Sequence, residues 1–151
     1  MTALVIKNTI LSGLAAVGAW IATALGGWDM ALQALLAVIA IDIITGVLVA
    51  LVWKKSGKSE TGAADSNAMF KGLCKKVVII LVVFLAQQID CSTGMGGVLR
   101  LGAILFFTGN EGLSVVENAG LMGVPLPGIV KNALEQLRNK GDDDKDDQDK
   151  E

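Results

Sequence analysis

The sequence predicts an all-α polytopic membrane protein, with four hydrophobic helices and a short C-terminal amphipathic helix; three spans are the alternative. Three observations carry this. Apolar residues make up 52% of the chain and charged residues 19%, where an ordinary soluble domain is roughly 25% charged. The apolar residues fall into blocks about twenty residues long, the length of helix that crosses a hydrocarbon core of about 30 Å. The last block also carries Arg100, Asn110, Glu111, Ser114, Glu117 and Asn118, which at 100° per residue project into one arc roughly 120° wide. A soluble amphipathic helix would show the same arc, but the other blocks have no wet face. Polar groups on an otherwise lipid-grade helix must face protein or water.

The first helix is expected over 8–27, within the 21 uncharged residues between Lys7 and Asp29. Small residues recur along it at every fourth position, as Ala15, Ala19, Thr23 and Gly27 and again as Gly18, Ala22 and Gly26. That spacing lets helices approach closely in lipid. Gly26, Gly27, Trp28 and Asp29 form a turn with Trp28 at interface height. The second helix, 30–53, has Asp42 near its midpoint as its one charge, with Gly46 a turn later. An acid in that place is either a structural hydrogen-bond partner, to backbone or to Ser114, or part of a trigger. Trp53, Lys54 and Lys55 mark the far interface.

The connector 54–76 holds Lys54, Lys55, Lys58, Lys71, Lys75 and Lys76 against Glu60 and Asp65. Its middle, 56–66, is rich in Gly, Ser and Ala and is expected to be flexible, while 68–76 reads as a short interfacial helix. A third helix is expected over 77–96, although continuous apolarity ends at Ile89; Lys75 and Lys76 would snorkel to water. The fourth, 98–122, ends at Gly120 and Gly123, and Pro125 and Pro127 prevent its continuation. A segment 128–140 then places Ile129, Val130, Ala133, Leu134 and Leu137 on one side of an amphipathic helix. Residues 1–140 thus form one membrane helical domain. Residues 141–151, with seven acids, two lysines and no apolar side chain, are expected to be a disordered tail.

The formal net charge of −2 hides an asymmetry, since the tail alone carries −5 and the body +3. The positive-inside rule places the lysine-rich connector in the cytoplasm, the 26–29 turn outside and the N-terminus inside. A fourth span returns Lys131, Arg138 and Lys140 to the cytoplasm and leaves Arg100 as the one basic residue near the outer side. That consistency favours four spans over three.

Several function classes are excluded. The chain has no histidine and two separate cysteines, Cys74 and Cys91, so the usual four zinc ligands are not at hand. No nucleophile–base pair, metal cluster or phosphate-binding loop is visible, so no enzyme activity and no cofactor are expected. The basic residues lack aromatic interleaving, which argues against nucleic acid. The first block is too long for a cleavable signal and lacks a small-residue exit site.

The run Asn110-Glu111-Gly112-Leu113-Ser114-Val115-Val116-Glu117-Asn118, followed by Gly123-Val124-Pro125-Leu126-Pro127, resembles the signature of the phage-lysis and toxin-secretion holin family. Asp42-Ile43-Ile44-Thr45-Gly46 is similar to the Asp-x-x-x-Gly element of that family's second hydrophobic segment. Residues 66–76, with Gly72, Lys75 and Lys76, look like its basic connector. The resemblance covers roughly residues 30–138; Gly109 and Gly112 depart from it and would loosen the fourth helix. It implies a phage-encoded or prophage-derived protein of the bacterial cytoplasmic membrane that homo-oligomerises in the bilayer and opens lesions. These would release an endolysin or another signal-less protein and depolarise the cell. In that picture the polar arc lines the opening. A small ion or multidrug-type transporter would share four spans and an intramembrane acid, but would want an aromatic cage, and the chain has no Tyr. An antiholin or assembly partner would share the fold.

Overall fold

In the computed structural model, which describes residues 2–53 and 66–133 together with 135, 136 and 139, every regular element is a helix. They are α1 (Thr2–Ala24), α2 (Met30–Leu48), which is prolonged by one π turn (Val49–Trp53), α3 (Ser66–Thr93) and α4 (Val98–Leu121). Helical backbone is also present over 128–133.

Glycines and caps fix the helix ends. Gly26, at φ 89°, donates its N–H to Thr23 O (3.0 Å), and Gly27 donates to Ala22 O (2.8 Å). This is the double bond pattern that closes a helix on a left-handed residue. Asp29 then caps α2, its carboxylate accepting the Leu32 N–H at 2.9 Å. α4 ends as α1 does. Gly123, at φ 84°, donates to Gly120 O and Val124 donates to Ala119 O, both at 3.0 Å. Pro125 and Pro127 follow outside any helix, so the Gly-x-Pro-x-Pro run is the stop of α4.

α4 is the central element and packs against both α2 and α3. Each of the three buries a stripe, spaced alternately three and four residues apart in α2 and α3 and four then seven apart in α4, the repeat that keeps one seam facing its neighbours. The stripes are Leu32, Leu35, Ile39 and Asp42 in α2, Ile79, Val83, Ala86 and Asp90 in α3, and Arg100, Ile104, Glu111 and Asn118 in α4. Their apolar members, with Leu25, form the core. The outside is apolar too: Ile41, Ile44, Leu48, Val77, Leu81 and Leu85 are all exposed. Charges inside and hydrocarbon outside is the arrangement a lipid-facing bundle requires. By length and composition, Leu4–Ala24 and Met30–Trp53 are each able to cross a membrane.

α1 stands apart from this packing, with every side chain from Leu4 to Ile21 exposed. Its C-terminal end is tied in: Leu25 enters the core, and Gln88 Nε2 donates to Ala24 O at 3.4 Å. Arg100, at the start of α4, reaches the carbonyls of Leu25 and Gly27. The turns 25–29 and 94–97 therefore lie at one end of the bundle.

Several boundaries differ from the sequence expectation. α3 begins at Ser66 rather than 77 and absorbs the 68–76 segment, because in a low-dielectric setting an unbroken helix keeps every backbone group paired. Lys75 and Lys76 consequently lie within one continuous helix rather than in a separate interfacial one. α1 starts at Thr2 and stops at Ala24, where Gly26 turns left-handed. Gly109 and Gly112 do not interrupt α4; both are buried, where the missing side chain admits a close neighbour. Lys54, Lys55, the 56–65 stretch and the 141–151 tail lie outside the described residues, as do the side chains of Leu134 and Leu137.

Candidate functional site

The three buried stripes each carry a polar residue at both ends of an apolar layer. Thirteen residues separate Asp29 from Asp42, fourteen separate Lys76 from Asp90, and eleven separate Arg100 from Glu111. At 1.5 Å per residue these are rises of roughly 17–21 Å. Two polar layers result, with the core leucines, isoleucines and valines between them.

The inner layer is the candidate site. Lys76 Nζ lies 2.7 Å from Asp42 Oδ2 and is also paired with Glu111 Oε2. Asn118 Nδ2 donates to Asp42 Oδ1 and to Thr45 Oγ1, each at 3.1 Å. Thr45 in turn donates to Ile41 O at 2.9 Å. Asp42 is 3% exposed and Glu111 5%, so two carboxylates share one ammonium with almost no access to water. Gly46 sits beside them; a Cβ there would lie 3.8 Å from Asn118 Nδ2, ordinary van der Waals contact. The π turn of α2 begins directly below.

The outer layer is a tie between helix ends. Arg100 is 7% exposed and donates to Leu25 O (2.5 Å), Asp29 Oδ2 (2.6 Å) and Gly27 O (3.3 Å). The Arg100 guanidinium hydrogen-bonded to Asp29, outside the apolar span, holds that carboxyl below its usual value. Asp90 caps α4 from α3, accepting the N–H groups of Leu99 (3.1 Å) and Arg100 (2.8 Å). That supplies the acceptor which Gly97, at the N-cap position, cannot.

The predicted polar arc is divided by this packing. Arg100, Glu111 and Asn118 point inward, with Arg100 in the outer layer and the other two in the inner one. Asn110 and Glu117 are exposed and Ser114 is half-buried. Asp42 finds Lys76 and Asn118, not Ser114. Lys75 is exposed on α3, but Lys76 departs from the connector role: it faces the bundle interior. The signal for this was present, since Lys76 falls on the same 3–4 stripe as Ile79, Val83, Ala86 and Asp90. Gly123, Pro125 and Pro127 terminate α4 away from both layers. Among the described residues no group of three or more acids or cysteines is placed to hold a metal ion.

Residues 19–139 match the profile of the bacteriophage holin family. A probable holin of Bacillus phage phi105 is 36% identical over 110 residues, covering 72% of this chain and 76% of its own. A 14.9 kDa protein from the nagH 3′ region of Clostridium perfringens is 35% identical over 136 residues, covering 89% of this chain and 97% of its own. The YqxH protein of Bacillus subtilis is 34% identical over 119 residues, 79% of each chain. No solved structure matches.

Proposed function

The chain belongs to the bacteriophage holin family, and from that premise we propose that it is the lesion-forming holin itself. In this reading it crosses the bacterial cytoplasmic membrane four times with both termini inside and homo-oligomerises in the bilayer. It then opens a water-filled lesion that releases an endolysin, or another signal-less protein such as a toxin, and depolarises the cell. Placing turns 25–29 and 94–97 at one end supports four crossings, because the start of α1, the end of α2, the start of α3 and the end of α4 then fall at the other. The 28 residues of α3 and 24 of α4 exceed the roughly 20 that a span needs.

The observation that carries the reading is the buried Asp42–Lys76–Glu111–Asn118 cluster inside a bundle with an apolar exterior. Paired with one another, these groups let a protomer rest in lipid, where an unpaired charge is costly. Parting α4 from α2 and α3 turns the same groups toward water, and only a wet opening accommodates them then. Arg100, Glu111 and Asn118 line the lesion in that state. The cluster thus gives the protomer a closed form and an open form built from the same residues.

The test is induced expression in a bacterium with and without a signal-less endolysin, followed by turbidity and a potential-sensitive dye. The expected result is normal growth, then abrupt depolarisation, with rapid lysis when endolysin is present. An antiholin would delay another holin's lysis and depolarise nothing by itself. A transporter would change substrate flux without a sudden loss of potential. Asp42→Leu should insert yet shift the lysis time strongly; unchanged timing at equal protein level removes Asp42 from the mechanism.

A further inference from the structure

α4 has a second stripe, about 100° from the buried one, that is exposed at Asn110 and Glu117 in its inner half. Leu99, Ala103, Phe106, Asn110, Ser114 and Glu117 follow one another at intervals of three and four residues and so share a side of the helix. Leu99, Ala103 and Phe106 line an apolar crevice of about 210 Å³ between α3 and α4. Below it the stripe turns polar: Asn110 and Glu117 are exposed, and Glu117 has no ion pair among the described residues. In a bilayer such a stripe is expensive to leave against lipid.

α1 has the complementary profile. Its side chains from Leu4 to Ile21 are all exposed, and its one charge, Lys7, lies near its N-terminal end. Lys7 shares a 4–3–4–3 stripe with Leu11, Leu14, Gly18 and Ile21, so that stripe too is apolar in its outer part and charged at its inner end. The depths agree. Arg100 Nε bonds Leu25 O, which puts those residues at one level. Lys7 lies eighteen residues below Leu25 and Glu117 seventeen below Arg100, rises of roughly 27 and 26 Å.

We propose that this stripe of α4 is the docking face for α1 of a second copy of the chain, with Lys7 of one protomer paired to Glu117 of the next. Ile21 and Gly18 then meet the α3–α4 crevice, and the antiparallel run brings the charges together at the inner end. Because each protomer offers one α1 and one α4 stripe, the contact is head-to-tail and propagates into rings or arrays. It rests on the membrane-spanning holin reading above, and it names the contact by which that protein assembles.

The experiment uses the full chain with Cys74 and Cys91, both exposed, replaced by Ser. Lys7→Cys and Glu117→Cys are placed on separate, differently tagged chains, co-expressed, and oxidised in isolated membranes before lysis time. The expected result is a disulfide-linked dimer carrying both tags, and a ladder when one chain carries both cysteines. Lys7→Cys with Leu101→Cys, at the wrong depth, gives none. In chains with native residues at both sites, Lys7→Glu and Glu117→Lys alone each lose most detergent-resistant oligomer, and the double reversal restores it. If the doubly substituted chain closes on itself and mixed chains do not link, α1 docks within its own protomer and the proposal is wrong. No linkage from membrane-integrated chains that still lyse cells overturns the contact and leaves the holin reading standing. Chains that fail to integrate at all overturn both.

Discussion

Replacing Lys76 by Met removes the one cation from the inner polar layer and leaves Asp42 and Glu111 buried against each other. At 2.7 Å and an effective dielectric of about 20, the Lys76–Asp42 attraction alone is about 6 kcal/mol. Desolvation of the ions offsets much of that, and removing one partner of a buried pair typically costs about 3–5 kcal/mol. Lys76→Met should therefore lower the folded-to-unfolded ratio by roughly two to four decades, since about 1.4 kcal/mol is tenfold. Reversible unfolding in mixed micelles with increasing denaturing detergent measures this directly. The triple variant Asp42→Asn, Lys76→Met, Glu111→Gln carries no charge in that layer and should recover most of the loss, as apolar or neutral replacements of buried ion pairs often do. In cells the two should differ in sign: the single variant opens early, while the triple variant, with nothing gained by hydration, opens late. A Lys76→Met protein as stable as the parent, within about 1 kcal/mol, would refute the claim that pairing with Lys76 is what keeps the acids inside the bundle.

Three further outcomes follow from the outer layer. Asp29 has its pKa depressed by Arg100, so its contribution to stability is present above the unfolded carboxylate value of about 3.9 and is lost as pH falls through the lower folded value. Asp29→Asn should lower stability at neutral pH and flatten the acid limb of a melting curve taken below about pH 4. Gly26→Ala drives a Cβ into Gln87 Oε1 and to 2.7 Å from Arg100 Nε at φ 89°, whereas Gly27→Ala at φ 108° meets nothing within 4 Å. Both bear backbone strain of about 1–2 kcal/mol, and Gly26→Ala should be measurably worse in the same unfolding assay. Asp90→Ala removes the acceptor for two N–H groups of α4 and should cost about 0.5–2 kcal/mol; hydrogen exchange at Leu99 and Arg100 should rise with it.

Much of the fold is legible in the sequence because its signals are local. The Gly26-Gly27 and Gly123-x-Pro-x-Pro breaks give the turn after α1 and the end of α4 to within a few residues, since a left-handed residue or a missing N–H acts where it stands. Asp42 stands out in the sequence because nothing else in its apolar block is charged. Helix α3 is less legible. Its first eleven residues include Lys71, Lys75 and Lys76, and composition alone assigns them to a connector. The deciding information is the register of Lys76 with Ile79, Val83 and Ala86, which matters only once another helix offers an acid at that level.

The polar arc shows the same limit more sharply. Six residues within roughly 120° look like one wet face, and a single wet face implies one role. In the folded chain a difference of about 100° between Glu111 and Asn110 separates a side chain locked to Lys76 from one that faces outward. Arg100 shares the angle of Glu111 and Asn118 but sits eleven residues away from Glu111, at the level of the α1–α2 turn, so its partners are carbonyls and Asp29. Angle on the helix decides which neighbour a side chain meets, and height decides which layer of that neighbour. Sequence periodicity supplies the first directly. The second needs the helices aligned, and here the alignment is set by Asp90 on the N–H groups of α4 and by Arg100 on the turn after α1. Those two contacts place Asp42, Lys76 and Glu111 at one depth, and the inner cluster exists because they do.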